Sequence, residues 1–428
     1  MLIKYRIKYL TLLKEMAKEK LIIKNFAGFE HIEFDFKPIN VFIGPQAAGK
    51  SIVIKLAYFF KSYLEGVGKL NSLPFEQYDQ YYQKIFFKYF PSGSWNDKEF
   101  EITYSIEDKI SITVKGGKYS VMNINFSPFM EIFKQTVTDG IELFKKAEDD
   151  TNSLKSRHFI GKEALRIRSS FKLPKVLEHI QYFIPAGRSF FSNVQSNIFS
   201  LLQNENSLDP FLLEFGSYYE HAKDLQDFID SYIEDDDNFK SVNKISSDII
   251  KGNYTQDEGQ DFIAQQDGRK INLLNASSGQ QEALPLILFL QSIINSHLST
   301  LYIEEPEAHL YPDAQKKMVQ LLARVYNSAN SQLFITTHSP YILAAFNNLI
   351  EASNIIKNKP ELAEKVYNII PKEEVIKVEN LIAYSIKDGK RTVLLDEENN
   401  LISQNILDDV SNEIGAEFGK LLDLEFGE

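Results

Sequence analysis

The chain has 428 residues, 43% hydrophobic and 25% charged, so it can bury a sizeable core and wholesale disorder is excluded. Its 47 Lys and Arg against 59 Asp and Glu give a net charge of −12, which argues against a generally basic nucleic-acid coat but allows a local basic patch. The absence of cysteine removes disulfides, thiol catalysis and thiolate metal sites and fits a cytoplasmic protein, while the longest apolar run, Ala283–Leu290, is far short of a membrane span.

Residues 1–20 are basic and partly apolar but lack the apolar core and cleavage site of a signal peptide. They read as a short extra helix, or as a start placed too early with Met16 the true beginning. Leu21–Lys24 and Ile32–Phe36 are expected as short strands around Gly28, leading into a strand at Val41–Ile43. That strand feeds Gly44, Pro45, Gln46, Ala47, Ala48, Gly49, Lys50 and Ser51, which fit the G-x-x-x-x-G-K-[ST] spacing, and a helix follows from Ile52. In such a loop, backbone N–H groups and the helix N-terminus face phosphates, Lys50 reaches the β- and γ-phosphates, and the Ser51 hydroxyl binds Mg²⁺. The segment between the two glycines carries no extra glycine. On its own the motif points to a nucleoside triphosphate and no further.

The helix is expected to fade near Gly66–Gly68, and Phe75–Phe90 reads as an aromatic-rich helix whose rings belong to a core. Strands at Phe100–Ile106, Ile110–Lys115 and Tyr119–Asn125 form an antiparallel meander, with Gly116-Gly117 as a hairpin turn. Ser127-Pro128 starts a helix running to Glu148–Asp150. The stretch Lys155–Lys175 is locally basic, either a solvated helix face or a contact for DNA or a partner. Asp209-Pro210 opens another helix, Glu234–Asp237 reads as an exposed turn, and Asn253–Leu274 as a second hairpin around Asp267-Gly268.

Three further stretches bear on the triphosphate. Ser277 or Ser278 is placed to cap an apolar helix whose start, with Gly279 and Gln280, offers N–H donors to a phosphate. Thr300–Glu307 is an apolar strand ending in carboxylates, of which Glu304 suits Mg²⁺ and Glu305 the attacking water. Gln332–Ser339 is another apolar strand ending at His338, where ligands of open α/β sheets bind. Each signal alone is weak.

Together, in this order, they resemble the ABC-type ATPases, and within them the OLD-like and SMC-like branch of prokaryotic AAA ATP-binding proteins. Ala276–Gln280 resembles the ABC signature with Ser278 at a usual glycine. Leu301–Glu305 resembles Walker B with Glu304 at a usual Asp, and His338 resembles the switch histidine. Glu305–Pro312 and Tyr182–Ser189 are similar to segments of the OLD-like branch. The resemblance implies Arg188 as a phosphate-side or interface arginine, with a structural ion pair as the other reading, and places Asn25 and Phe26 near the nucleotide base. For the Gln loop, Gln195 is the one candidate, and no standard motif surrounds it. The resemblance further implies an α/β P-loop NTPase of ABC type, with an antiparallel meander and an inserted mainly helical lobe.

The expected divisions are an extension at 1–20, a first ATPase part at 21–125, a helical insert at 126–250, a second ATPase part at 251–360 and closing strands and helix at 361–428. Val375–Ile402 reads as strands around Asp388-Gly389 and Leu407–Leu424 as the closing helix. Asp396–Glu398 is a poor substitute for the TOPRIM carboxylates of many OLD-like proteins, so an ATPase without that nuclease is expected. ATP and Mg²⁺ are the implied cofactors, and Glu305, His338 and Lys50 the implied catalytic residues. A homodimer or higher oligomer closing over ATP is implied, with a separate effector as in anti-phage systems such as Septu and PARIS. A DNA repair or chromosome-maintenance ATPase is the alternative, and a transporter subunit a third reading.

Overall fold

The computed structural model describes residues 18–68, 75–95, 97–118, 120–147, 170–171, 173–194, 208–226, 236–294, 298–329, 331–396, 398–403 and 415–422. Gln195, Glu148–Asp150 and the basic residues Lys155, Arg157, Lys162, Arg166, Arg168 and Lys172 lie outside them, as does most of the extension at the N-terminus. Of the expected closing helix, residues 415–422 are described, and they are helical.

The chain opens with β1 (Glu19–Phe26), β2 (Phe29–Phe36) and β3 (Ile39–Ile43), then enters α1 (Lys50–Gly68) directly from the loop. Helix α2 (Phe75–Tyr89) is followed by β4 (Phe100–Ile106), β5 (Ile110–Gly117), β6 (Ser120–Phe126) and α3 (Pro128–Ala147). Strands β1, β2, β4, β5 and β6 form a five-stranded antiparallel sheet in the order β2-β1-β4-β5-β6. Burial in β4 alternates residue by residue, as expected of a sheet with one face on the core. Gly116 and Gly117 lie within β5, beside a bulge, so the strand runs two residues further than expected before the hairpin turns. Ser127 Oγ accepts from the Met130 amide and so caps α3 as the sequence suggests.

Next come β7 (Ile180–Ile184), α4 (Pro210–Asp224) capped by Asp209, and α5 (Asp237–Ile250) capped by Asp236. The acidic run expected as a turn thus ends as a helix cap, because Asp236 accepts from the amides of Asn238 and Phe239. Strands β8 (Asn253–Asp257), β9 (Gln260–Ala264) and β10 (Lys270–Asn272) make a small three-stranded sheet. Asp267-Gly268 closes its second turn, while Glu258 and Gly259, both at positive φ, form a first turn that the sequence reading missed.

The second half holds α6 (Ser278–Ile293), β11 (Ser299–Glu304), α7 (Pro312–Ala329), β12 (Gln332–Thr337), α8 (Pro340–Asn358), β13 (Leu381–Lys387) and β14 (Lys390–Val393). With β3 and β7 they build a six-stranded sheet in the order β14-β13-β3-β12-β11-β7, parallel except for β14. Strands β3, β11 and β12 are buried at every position, as a parallel sheet covered on both faces requires. The segment expected as a helical insert therefore also supplies this sheet's edge strand, β7.

Helix α1 lies between the two sheets. Phe60 stacks on Tyr104 of β4, while Tyr58 meets Tyr302 of β11 edge-on. A buried ion pair, Lys61 Nζ to Glu19 Oε2 at 2.8 Å, joins α1 to β1, and Gln332 and Tyr104 also donate to Glu19. With every partner hydrogen-bonded, the pair escapes the penalty of an uncompensated buried charge. Parallel register then sets the site. Thr337 lies opposite Ile43, Thr336 opposite Glu304, and Ile303 opposite Ile184, so β3, β12, β11 and β7 all release their chains at one edge.

Candidate active site

At that edge Gly44 and Gly49 bracket the loop at positive φ, with Pro45, Gln46 and Ala47 exposed and Ala48 half-buried between them. Gly49 is sterically required, because a Cβ there would collide with the ring of Phe29 on the β1–β2 hairpin. Ala47 takes φ 59 without being glycine, a small strain in the glycine-poor stretch of the loop. Lys50 is buried; its ammonium donates to the carbonyls of Gly44 at 2.7 Å and Pro45 at 2.8 Å. Burial pushes the Lys50 ammonium below its usual range, and the charges of Glu305 and Glu307 oppose this. Ser51 and Ile52 are half-buried on the first turn of α1.

Lys50 Nζ lies 3.2 Å from His338 Nε2, and the same nitrogen lies 3.2 Å from Glu305 Oε1. In its neutral form that nitrogen either accepts from Lys50 or donates to Glu305, so one proton's position decides which pair is joined. Glu305 itself is held at φ 43, an unfavourable conformation for a non-glycine residue. Its amide donates to Thr336 O at 2.9 Å, and Arg188 Nη2 donates to its carbonyl at 3.0 Å.

Arg188 is fully buried. It donates to the carbonyls of Pro185 and Glu304 through Nη1, each at 2.8 Å, and to Glu282 O through Nε at 3.0 Å. Glu282 in turn accepts from the amides of Arg188 and Ser189. The donors of Arg188 are thus spent on backbone carbonyls around the acidic strand end, and its Nε lies 3.7 Å from Glu282 Oε2.

Glu304 is buried, accepts from the Ala186 amide at 3.2 Å through Oε2, and leaves Oε1 buried without a hydrogen-bond partner. Such an orphaned carboxylate oxygen fits a cation or a cation-bound water. Among the described residues no group of three or more acidic or imidazole side chains could hold a metal alone. Mg²⁺ here would depend on Ser51, Glu304 and substrate phosphates, as Mg²⁺ commonly does.

Sequence reasoning gave no role to Glu307. Its Oε1 accepts from the Thr337 hydroxyl at 2.6 Å and the His338 amide at 2.8 Å, while Oε2 is buried without a partner. Burial raises its pKa above the usual carboxylate range. A signal was available, since Glu307 closes the Glu-Glu-Pro-Glu run, but spacing cannot show that the turn folds back onto β12.

Other expected residues sit elsewhere. Phe26 has no exposed surface and packs among Phe86, Phe90, Trp95 and Phe100, so it belongs to the aromatic core. Asn25, at φ 53 near the end of β1, donates to Glu99 O at 3.2 Å. Ser277 caps α6 in a full capping box with Gln280, whose amide also donates to Ile250 O at 2.7 Å. Ser277 and Ser278 are exposed, and the side-chain hydrogen bonds of Ser277 and Gln280 do not reach the P-loop. Gly279 lies against the carbonyl of His309, in the turn after Glu305.

Among the described residues no helix is long and apolar enough to cross a membrane. No curated protein matches the chain. Among solved structures, it is similar to the SMC head domain from Thermotoga maritima at 12% identity, covering 90% of this chain and 100% of that one, with a TM-score of 0.37. It is also similar to an Smc head domain with an extended coiled coil bound to the C-terminal domain of ScpA derived from Pyrococcus furiosus, at 12% identity, 93% and 99% coverage and a TM-score of 0.38. A family model described as the AAA ATPase domain matches residues 16–343, and the chain belongs to that family.

Proposed function

We propose that this member of the AAA ATPase domain family binds and hydrolyses ATP in an ABC-type site that a second copy of the chain completes. The observation that carries the reading is the run Lys50–His338–Glu305, with Nε2 of the histidine 3.2 Å from both neighbours at the mouth of the P-loop. In this reading the loop amides and the start of α1 hold the phosphates, and Lys50 moves from its carbonyl partners onto phosphate oxygens. Glu305 takes the proton of the attacking water, and His338 orients Glu305. Ser51 and Glu304 would hold Mg²⁺, which when bound neutralises charge on the phosphate oxygens. Donors from one side cannot surround a γ-phosphate. The exposed, capped start of α6 at Ser277 makes no hydrogen bond to its own P-loop, which suits it to reach the P-loop of another copy.

Replacing Glu305 with Gln tests this reading. ATP binding is expected to persist while phosphate release falls by about 10²- to 10⁴-fold, the usual contribution of a positioned base. Undiminished turnover in that variant would remove Glu305 from the mechanism.

By its resemblance to OLD-like ATPases at Glu305–Pro312 and Tyr182–Ser189, we place the protein in the cytoplasm as a regulatory subunit of an anti-phage system, acting on a separate nuclease or toxin. This step rests on analogy. It predicts that an effector co-expressed from a neighbouring gene is retained on the tagged chain in an ATP-dependent way. Retention indifferent to ATP would count against it.

A further inference from the structure

Along the C-terminal half of α1 lies a cavity of about 420 Å³ between α1, α2, β7 and α4. Tyr58, Tyr82, Tyr182 and Tyr218 form much of its wall, and Glu65 and Glu214 bring two carboxylates to it. Among the described residues, none that line it is Lys, Arg or His. The hydroxyls of Tyr58 and Tyr218 donate to Glu214 Oε1 at 2.5 and 2.8 Å, which fixes that carboxylate among the rings. Among the described residues no basic side chain forms an ion pair with the half-buried Glu214. Ser62 also lines the cavity, and its Oγ is buried without a hydrogen-bond partner.

Two carboxylates repel an anion. Among the described residues the group also lacks the third acidic or imidazole ligand that would make a metal site. Aromatic faces and carboxylates together favour an organic cation, whose apolar carbons meet the rings while its charge meets the acids. We propose that this cavity is a binding site for a small alkylammonium ion of the polyamine class. Its occupant would touch α1, which carries Lys50 and Ser51, and β7, whose Tyr182 lies opposite Leu301 on the strand that ends in Glu304. The site stands independently of the ATPase reading.

Calorimetric titration of the chain with spermidine, and with the neutral 1,4-butanediol, tests it. Saturable binding of spermidine at one site is expected, with none of the diol, and Glu214→Gln should weaken it by at least about tenfold, as for hydrogen bonds to a charged group. The side-chain amide oxygen of that variant would still accept from both tyrosines, so the fold should hold. Should the variant fail to fold, Tyr81→Ala at the exposed rim of the cavity replaces it and should also weaken binding. Absence of saturable binding, or equal affinity in the folded variant, would overturn the proposal by reducing the effect to counter-ion association with an acidic chain.

Discussion

At Glu305 a backbone held at φ 43 stores strain that its neighbours must offset, and the two hydrogen bonds from Arg188 and to Thr336 do so. His179 holds a different kind of tension. It is buried before β7, with Nδ1 3.2 Å from the Thr300 hydroxyl; burial first, and Lys61 second, lower its pKa to about 4. The unfolded chain, with a histidine near its ordinary value of about 6.5, therefore binds the proton first as pH falls. Stability from this residue is full above that value and is lost as pH falls from about 6.5 to about 4, on the order of 3 kcal/mol in all. His179→Asn should flatten the pH dependence of unfolding free energy in that window, measured by denaturant titration. An unchanged slope would assign the acid sensitivity to other groups. At this scale the P-loop residues were legible because their chemistry lies in consecutive positions. The fixing of Glu305 by Arg188 was not, since those residues lie far apart in sequence and meet only through the pairing of β7 with β11.

Among elements, the joint that matters most for the site is the one between the turn after β11 and the end of β12. Glu307 makes it, accepting with one oxygen from both Thr337 and His338. Without that carboxylate, His338 would be free to drift from its 3.2 Å approach to Glu305. Glu307→Ala strands two donors, so a stability loss of about 1–3 kcal/mol is expected, together with a fall in kcat that exceeds any change in KM for ATP. Glu307→Gln keeps an acceptor and should restore most of both. If Gln fared as badly as Ala in kcat while stability recovered, Glu307 would be acting through its charge rather than by positioning. The strands of this joint were readable from apolar runs and the caps from Ser127, Asp209 and Ser277. The turn at Glu258-Gly259 and the capping by Asp236 were missed because both are decided by local backbone conformation inside polar runs. The packing of Phe26 was not readable either: the β1–β2 hairpin presents Phe29 to Gly49 and turns Phe26 into the aromatic core.

For the whole molecule, two sheets close on α1, and one edge of the parallel sheet gathers the P-loop, the acidic strand end and His338. The exposed start of α6 makes no side-chain hydrogen bond to the P-loop of its own chain through Ser277 or Gln280, and the proposed shared site has it face the P-loop of a second copy. Ser277 was legible as a cap, whereas the hold of Gln280 on Ile250 needed the folded chain. The most direct test mixes two variants, Lys50→Ala, which lacks the phosphate lysine, and Ser277→Arg, which blocks the start of α6. Each alone should release phosphate only slowly in the presence of ATP and Mg²⁺. Mixed in equal amounts and allowed to exchange, they should recover up to about a quarter of the unmodified rate, because half of random pairs are mixed and each mixed pair holds one intact site of two. A mixture no faster than the two variants measured apart would contradict a site shared between copies.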